Sequence, residues 1–325
     1  MKRPSHVILT VSIFILVSVN TAWGFRLPEH VINPLASWNN TPAKLAILDY
    51  VQRATSPSDP GFVPIEERIA VFDMDGTILC EKPMYFQIVV SQERLREQAA
   101  ADPSLALKQP WKSAVEHDDA YVFAGNYEEV TVTPFIGATQ ANYIDYSKQF
   151  LRNTIHPRFN RPYAALFYKP MIELMSLLAE KQFAVYVVSG SQTAFVRAVL
   201  DGRVNIEPER AIGSKMAMEF RLDHGRPVFV RSDHYWDPLN LDAGKPENIW
   251  EQIGRGPVFA AGNTMGDYEM LQFAGHGNRA SFAMIVNHDD PIREYDYPNQ
   301  ELLGKAAANG WLVVSMRSDF RLIFE

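Results

Sequence analysis

A strand pattern that ends in two carboxylates most constrains how this chain can fold. Residues 69–72 read Ile-Ala-Val-Phe, and residues 73–77, Asp-Met-Asp-Gly-Thr, follow without a break. An uninterrupted apolar run is typical of a strand that is covered on both faces of a parallel sheet. Gly76 then supplies the backbone freedom to turn out of the sheet. The pattern predicts a central strand of an α/β sheet, with a site at its carboxyl end, where such sheets bind ligands.

The two carboxylates, Asp73 and Asp75, are close enough in the sequence to converge on one cavity. Neighbouring carboxylates disfavour each other's ionised form, so such a pair needs a compensating cation. Mg²⁺ is a hard cation that takes oxygen ligands of this kind. Although Asp-Gly is also a common turn signal, we expect these residues to form a magnesium site rather than a plain turn.

The composition is that of an ordinary globular protein, with 47% hydrophobic and 21% charged residues in a chain of 325. This length is sufficient for one large or two modest domains. The net charge of −7 argues against nucleic acid as the main partner, because phosphate backbones favour a basic surface. A locally positive pocket for a small anion is compatible with that charge. The single cysteine, Cys80, excludes an intrachain disulfide.

Residues 1–24 have the pattern of a secretory signal peptide. Lys2 and Arg3 precede an apolar run over residues 7–19, and small residues stand at the positions that a signal peptidase reads before cleavage after Gly24. The run is shorter than the roughly 20 apolar residues that a membrane span needs, which disfavours a retained anchor. We therefore expect a periplasmic or secreted protein without stable membrane insertion.

The remaining chain predicts an α/β core that is interrupted by an insertion. Residues 83–161 carry helical patterns and no good strand signal, whereas strands alternate with helices again from residue 162 onward. Residues 25–82 and 162–325 then form a Rossmann-like parallel sheet core, and residues 83–161 form an all-helical cap. An insertion directly after the first strand lies above the carboxyl end of the sheet, where it can act as a lid.

Polar residues follow two later predicted strands and open one helix. Ser189 and Gly190 follow a predicted strand at 183–188, a Gly-Asn-Thr-Met-Gly-Asp segment at 262–267 follows another, and Lys245 opens a helix between them. The carboxyl ends of parallel strands meet at one edge, so we expect these groups to join the carboxylate pair. A nucleophile, an acid, a metal and donors for phosphoryl oxygens are what phosphoryl transfer to a carboxylate requires.

The order of these motifs resembles the haloacid dehalogenase superfamily, in the phosphoserine-phosphatase-like branch that has a helical cap. Longer segments at residues 73–87, 156–162 and 243–246 are similar to secreted bacterial hydrolases related to phosphorylcholine phosphatase. The resemblance covers essentially the whole mature chain. It implies a Mg²⁺-dependent phosphomonoester hydrolase that acts on a small phosphorylated substrate.

The resemblance also implies a role for each motif residue. Asp73 would be the nucleophile that forms an aspartyl-phosphate, and Asp75 would be the general acid and then the base. The implied phosphate-binding residues are Thr77, Ser189, Gly190 and Lys245. The implied metal-site residues are Asp73, Asp75, Asn263 and Asp267. Many relatives carry an acid at the position of Asn263, so the sequence leaves open whether Asn263 or Asp267 contacts the metal directly.

Other side chains near these motifs have less specific signals. Glu81 is a candidate substrate contact, while Tyr85 and Phe86 are expected to pack inside the cap rather than to cage a cationic substrate. Lys215 is the alternative to Lys245, but it lies within a β-hairpin predicted around residues 212–231 and is expected to be solvated. No histidine has a ligand spacing, so none is assigned to a metal.

Three other functions are compatible with parts of the pattern. A dehalogenase of the same superfamily would not need Asp75, because a departing halide requires no proton. A phosphomutase would yield an isomerised sugar phosphate instead of free phosphate. An exported, non-catalytic binding protein would have no use for a complete set of catalytic residue types. The hydrolase is therefore the preferred interpretation.

Overall fold

The first core strand, β1 (Ile69–Phe72), is covered on both faces as its apolar sequence predicts. The computed structural model describes residues 34–274 and 280–324, and all of β1 is buried in it. Parallel strands flank β1, with Ile69 opposite Ala184 on one side and Ala70 opposite Phe259 on the other. The predicted central strand is confirmed. The predicted signal peptide lies outside the described residues.

The strands of the described residues form one sheet. They are β1, β2 (Ala184–Gln192), β3 (Ala211–Asp223), β4 (Arg226–Trp236), β5 (Phe259–Gly262), β6 (Phe282–Asn287) and β7 (Leu312–Ser315). Their order in this seven-stranded sheet is β4-β3-β2-β1-β5-β6-β7, and only the β3–β4 pair is antiparallel. The predicted α/β class and the predicted hairpin are confirmed, and the hairpin is longer than the sequence pattern indicated.

The side chains of β1 point alternately into two apolar clusters, one on each face of the sheet. Ala70 and Phe72 pack into one cluster, while Ile69 and Val71 pack into the other. Successive side chains of a strand point to opposite faces, so a strand between two cores must be apolar throughout. This burial explains why the run carries no polar residue until Asp73, where the strand leaves the sheet.

Helices surround the sheet and fill the chain between β1 and β2. They are α1 (Pro42–Thr55), α2 (Phe86–Ala101), α3 (Trp111–Glu116), α4 (Asp119–Tyr121), α5 (Tyr127–Val132), α6 (Gln140–Asn153), α7 (Lys169–Glu180), α8 (Thr193–Leu200), α9 (Gly244–Ile253), α10 (Tyr268–Ala274) and α11 (Gln300–Asn309). Across residues 34–274 and 280–324, no helix combines the length and apolar character that crossing a membrane requires.

The region from α2 to α6 has an apolar cluster of its own. Its buried members are Met84, Ile88, Leu95, Ala114, Val122 and Val130. Helix α2 begins at Phe86 rather than at Pro83, because the preceding Tyr85 has extended backbone angles (φ −53°, ψ 135°). The boundaries of the cap, residues 83–161, stay a prediction.

Candidate active site

A cavity of about 450 Å³ lies at the carboxyl end of the central strands. The predicted site residues that line it are Asp73, Asp75, Glu81, Ser189, Gly190, Lys245 and Asp267. The two remaining ones, Thr77 and Asn263, are buried beside it, and the Thr77 hydroxyl donates to Asn263 Oδ1 at 3.2 Å. The fold thus brings residues from four separate stretches of the sequence to one place.

The turn after β1 fixes the two aspartates. The Asp73 amide continues the strand pairing by donating to the Ala261 carbonyl at 2.9 Å. Gly76 has a φ of +78°, and a Cβ at this position would come within 1.9 Å of Asn263 Nδ2. Only glycine fits such a left-handed, closely approached position. The packing of this turn against Asn263 therefore requires glycine at position 76.

Lys245 joins two carboxylates at the floor of the cavity. Its Nζ lies 2.6 Å from Asp73 Oδ1 and 2.6 Å from Asp267 Oδ1, and all three side chains are buried. Burial lowers the pKa of Lys245, but Asp267 and Asp73 more than offset this effect and raise the pKa overall. The lysine is therefore a fixed ammonium ion beside Asp73.

Asp267 is held in place by the turn that precedes α10. Its Oδ2 accepts from the backbone amides of Asn263 and Thr264 at 2.9 and 3.0 Å, as in a capping box. Its Oδ1 accepts from Lys245. Both carboxylate oxygens are engaged, so Asp267 is oriented towards the lysine and the turn.

Asp75 has surroundings that raise its affinity for a proton. Its Oδ2 lies 3.4 Å from Ser189 Oγ, and its buried Oδ1 has no hydrogen-bond partner in the described part of the chain. Burial raises the pKa of Asp75 to about 6, against the opposing effects of Lys245 and Ser189. A carboxyl group with such a pKa can donate a proton near neutral pH.

Glu81 brings another buried carboxylate to the cavity. Its Oε1 accepts from Asn263 Nδ2 at 3.1 Å. Burial raises the pKa of Glu81 to about 8; Lys82 opposes the increase, whereas Asp75 and Asp73 add to it. The hydrogen bond also orients the Asn263 amide, because its nitrogen must face the Glu81 carboxylate.

The charge balance of the cavity fits a divalent cation. Among the lining residues, four carboxyl groups surround one ammonium ion: the carboxyl groups of Asp73, Asp75, Glu81 and Asp267, and the ammonium ion of Lys245. Burial also raises the pKa of Asp73, and Asp267 adds to this effect, although Lys245 opposes it. Over residues 34–274 and 280–324, no three His, Cys, Asp or Glu side chains converge on a common metal position. Amide and backbone oxygens would have to complete a site.

The opposite wall of the cavity comes from α2 and the segments around α5. Its members are Tyr85, Gln87, Ile88, Val122, Phe123, Gly125 and Tyr127. The Tyr85 and Phe123 rings meet edge to face, with centroids 6.5 Å apart. Tyr85 packs against the apolar cluster of the α2–α6 region, as the sequence predicted, and also lines the cavity, whereas Phe86 packs against Tyr163 in the main core cluster. Lys215 is far less buried than Lys245 and pairs with Glu251.

One residue at this edge was missed by the sequence reasoning. His288 follows β6, is 2% exposed, and hydrogen-bonds through Nε2 to the Gly76 carbonyl at 2.7 Å. The one available signal was its position directly after a predicted strand. That signal does not distinguish it from any other histidine in a loop.

Comparisons with known proteins agree with this architecture. The model of the haloacid dehalogenase-like hydrolase family matches residues 70–272. A search of curated proteins finds no match. A protein of unknown function from Anaerococcus prevotii is similar in structure, with 13% identity over 89% of this chain and 97% of that one, and a TM-score of 0.58.

Two further solved structures have the same level of sequence identity. A Bordetella pertussis protein of unknown function has 14% identity over 76% of this chain and 98% of its own, with a TM-score of 0.50. A phosphoserine phosphohydrolase-like protein from Francisella tularensis has 14% identity over 76% and 94%, with a TM-score of 0.41. At such identities these likenesses concern the fold alone. Because the family model spans more than half of the chain, this protein belongs to the haloacid dehalogenase-like hydrolases.

Proposed function

We propose that this protein is a Mg²⁺-dependent phosphomonoester hydrolase that acts on a small phosphorylated metabolite through an aspartyl-phosphate. The observation that carries the proposal is the Asp73 carboxylate, which lies 2.6 Å from the buried Lys245 ammonium and shares one cavity with Asp75. An anionic nucleophile, a fixed cation and a carboxyl group that can be protonated are thereby assembled around a space for a phosphoryl group. Membership of the hydrolase family supports the proposal.

In the first half-reaction an Asp73 oxygen attacks the phosphorus of the ester. The bond between phosphorus and the leaving-group oxygen breaks, and Asp75 gives that oxygen its proton. Lys245 and the Ser189 hydroxyl are placed to donate hydrogen bonds to the non-bridging phosphoryl oxygens. The products are a free alcohol and a phosphoryl group bound to Asp73.

In the second half-reaction Asp75, now a carboxylate, removes a proton from water. The water oxygen attacks phosphorus, the bond from phosphorus to Asp73 breaks, and inorganic phosphate leaves. Asp75 is then protonated again and Asp73 is again a carboxylate, so that the cycle is closed. The pKa of about 6 for Asp75 suits a group that must both give and take a proton.

The residues that would hold Mg²⁺ are Asp73, the Asp75 backbone carbonyl and Asn263. The bound ion would neutralise charge on the carboxylates and the phosphoryl oxygens. Asn263 is preferred over Asp267 as a direct ligand because both Asp267 oxygens are hydrogen-bonded to Lys245 and to the turn. The amide brings no charge, so a lower metal affinity than that of an acid is expected.

Asp75 also separates this proposal from a dehalogenase. Displacement of halide produces an anion that needs no proton, whereas an alkoxide leaving group does. A carboxyl group held in the cavity with a raised pKa therefore favours oxygen over halide as the leaving atom.

Phosphate release by the purified protein with Mg²⁺ tests the activity. The ester panel should include a generic aryl phosphate, phosphorylcholine, phosphoserine and nucleotides, with Asp73→Asn as the inactive reference. Release of phosphate from at least one ester by the wild type, and from none by Asp73→Asn, would support the proposal. Equal release by both proteins, or halide release from a haloacid, would contradict it.

Export is the second part of the proposal, and it rests on the signal-peptide pattern of residues 1–24. Intact-mass measurement of the protein recovered from its native host tests it. A chain that begins at Phe25 is expected, and a chain that keeps the basic start and apolar run would contradict cleavage.

A further inference from the structure

The Gly76 carbonyl is one of the groups through which residues outside the catalytic turn hold it in place. Within the turn, the Met74 carbonyl accepts from the amides of Thr77, Ile78 and Leu79, and the Gly76 amide donates to the Leu79 carbonyl at 2.8 Å. The Gly76 carbonyl instead accepts from His288 Nε2 at 2.7 Å. Glycine has little intrinsic preference for one backbone conformation, so this external contact fixes the peptide group between Gly76 and Thr77, directly after Asp75.

His288 is itself held firmly. It follows β6, which lies two strands away from β1 in the sheet, and it therefore reaches the same carboxyl edge. Its ring stacks on Tyr297, with centroids 4.2 Å apart and planes at 21°. Its Nδ1 lies 3.4 Å from Oε2 of Glu294, which is 0% exposed.

The partners of the ring define its orientation. Nε2 faces a carbonyl, which can only accept, so Nε2 must carry a hydrogen. Nδ1 faces Glu294, a carboxylate that already accepts from the Tyr168 hydroxyl at 3.0 Å and from the Tyr295 amide. The buried Glu294 side chain therefore lies against Nδ1, and the carbonyl of Gly76 lies against Nε2, so both edges of the ring are held in place.

Another buried histidine provides a contrast. His156 is 0% exposed, and its Nε2 also donates to a carbonyl, that of Lys82, at 2.7 Å. Its Nδ1, however, accepts from the Arg158 amide at 3.2 Å, so the ring is satisfied as a neutral tautomer. The two histidines make the same contact with backbone, but only His288 is paired with a carboxylate and only His288 holds the turn that carries Asp73 and Asp75.

We propose that His288, supported by Glu294 and Tyr297, is a positioning residue of the active site: by fixing the Gly76 carbonyl it sets the orientation of Asp75 relative to Asp73. The inference rests on the proposed hydrolase function, because the effect of His288 is measured as a change in kcat. His288 does not line the cavity, so it acts through the turn and not on the substrate. Misplacing a catalytic group by about 1 Å can reduce turnover roughly 10²-fold without affecting binding much.

The test compares His288→Leu with His288→Gln, because a glutamine amide nitrogen can replace Nε2 as a donor and leucine cannot. Relative to wild type, His288→Leu should lower kcat about 10²-fold and change KM by less than about threefold, and His288→Gln should recover at least about tenfold of that loss. His156→Leu and His156→Gln are the matched controls, with kcat expected within about twofold of wild type. Each kcat value is calculated from the concentration of folded protein, which is determined by circular dichroism.

Equal kcat values for folded His288→Leu and wild type would overturn the proposal, as would equal losses in the Leu and Gln variants. A large loss in His156→Leu would also overturn it, because any buried histidine would then have the same effect. Wild type and Asp73→Asn are assayed alongside: if these two do not differ, the proposed function fails and not the positioning role. Nitrogen-15 spectra of labelled histidine, assigned through His288→Gln, give a readout without turnover. A hydrogen on Nε2 of His288 is expected, and a ring without that hydrogen would contradict the contact with the Gly76 carbonyl.

Discussion

The two walls of the cavity differ in chemistry and in origin. The wall formed by the sheet carries ionisable groups, each located just after a strand or at the start of a helix, and Asp73, Asp75 and Lys245 are its centre. The wall formed by the helices between β1 and β2 contributes mainly aromatic and aliphatic side chains together with the polar Gln87, and none of its described lining residues is charged. One wall is built to react with a phosphoryl group, and the other is built to contact the remainder of a substrate.

From this difference we expect the sheet wall to determine the rate of phosphoryl transfer and the helical wall to determine which esters bind. Changes in the sheet wall should affect the chemical step for every ester, because the phosphoryl group is common to all of them. Changes in the helical wall should affect esters differently, because only the leaving group reaches it. Variants of the two walls should therefore separate into kcat effects and substrate-dependent KM effects.

The largest effect is expected from Asp73→Asn, which removes the nucleophile. Loss of a covalent nucleophile should reduce kcat at least about 10⁴-fold for all esters. An amide is nearly the same size as a carboxylate, so folding should be retained. Steady-state phosphate release measures the loss, and a residual rate within tenfold of wild type would place the chemistry elsewhere.

Asp75→Asn should follow, and its effect should depend on the leaving group. Removal of a general acid costs roughly 10²–10⁴-fold when the leaving oxygen needs a proton. With an activated aryl phosphate, whose leaving group departs as an anion, the first half-reaction should be affected less. Burst kinetics with the aryl ester separate the two half-reactions. The same loss of the burst rate for aryl and alkyl esters would argue against a proton donor at Asp75.

Lys245→Met should lower kcat by roughly 10²–10³-fold, the usual effect of removing one donor to a developing charge. It should also destabilise the protein, because Asp73 and Asp267 would be left buried without their shared cation. Lys215→Met is the matched control, since that lysine is exposed and pairs with Glu251 at the surface. A comparable loss in Lys215→Met would show that the assignment of the two lysines is wrong.

On the helical wall, Phe123→Ala should change substrate preference more than turnover. Phe123 is 63% exposed, lines the cavity and contacts the Tyr85 ring, so its removal should leave the fold intact. We expect KM to rise by roughly 3–10-fold for esters with large leaving groups and little for the smallest ones, since only the former reach this wall. A uniform fall of kcat across the panel would remove the distinction between the walls.

The smallest effect expected is one of stability, from Glu81→Gln in metal-free protein. Glu81 has its pKa raised from 4.5 to about 8 by burial. The folded state therefore binds this proton more tightly than the unfolded state, and stability falls as the pH rises between those two values. Glu81→Gln should have a higher Tm than wild type at about pH 9 and a smaller advantage at about pH 5. Thermal melts with a chelator measure this, and Glu251→Gln at the surface is the control. An advantage that grows towards low pH would contradict the sign.

The sheet wall was the predictable part of the site because its signals are local. The apolar run that stops at Asp73 predicts the end of a strand, and Gly76 predicts the turn that follows it. The 2.6 Å contact between Lys245 and Asp267 was not predictable in this way. It depends on how α9 and the turn after β5 are packed, and no spacing rule expresses that.

The helical wall and His288 could not be found from sequence for the same reason. Tyr85 packs against the cluster of the α2–α6 region, as expected, but it also lines the cavity, which the sequence did not indicate. His288 acquires its role from Gly76 and Glu294, and Gly76 is distant in sequence. Such roles arise from tertiary packing. They depend on contacts between residues that are far apart in the sequence, so the identity of one residue does not predict them.

Trapping of the covalent intermediate shows directly whether the reaction proceeds through an aspartyl-phosphate at Asp73. The purified protein is mixed with excess ester and Mg²⁺, quenched in acid during steady turnover, digested, and analysed by mass spectrometry. If Asp73 is the nucleophile, one phosphoryl group is expected on the peptide that contains Asp73, and none on the same peptide from the Asp73→Asn variant. A phosphoryl group on the peptide that contains Ser189 instead, or rapid phosphate release with no covalent phosphoryl group at any time point, would contradict it.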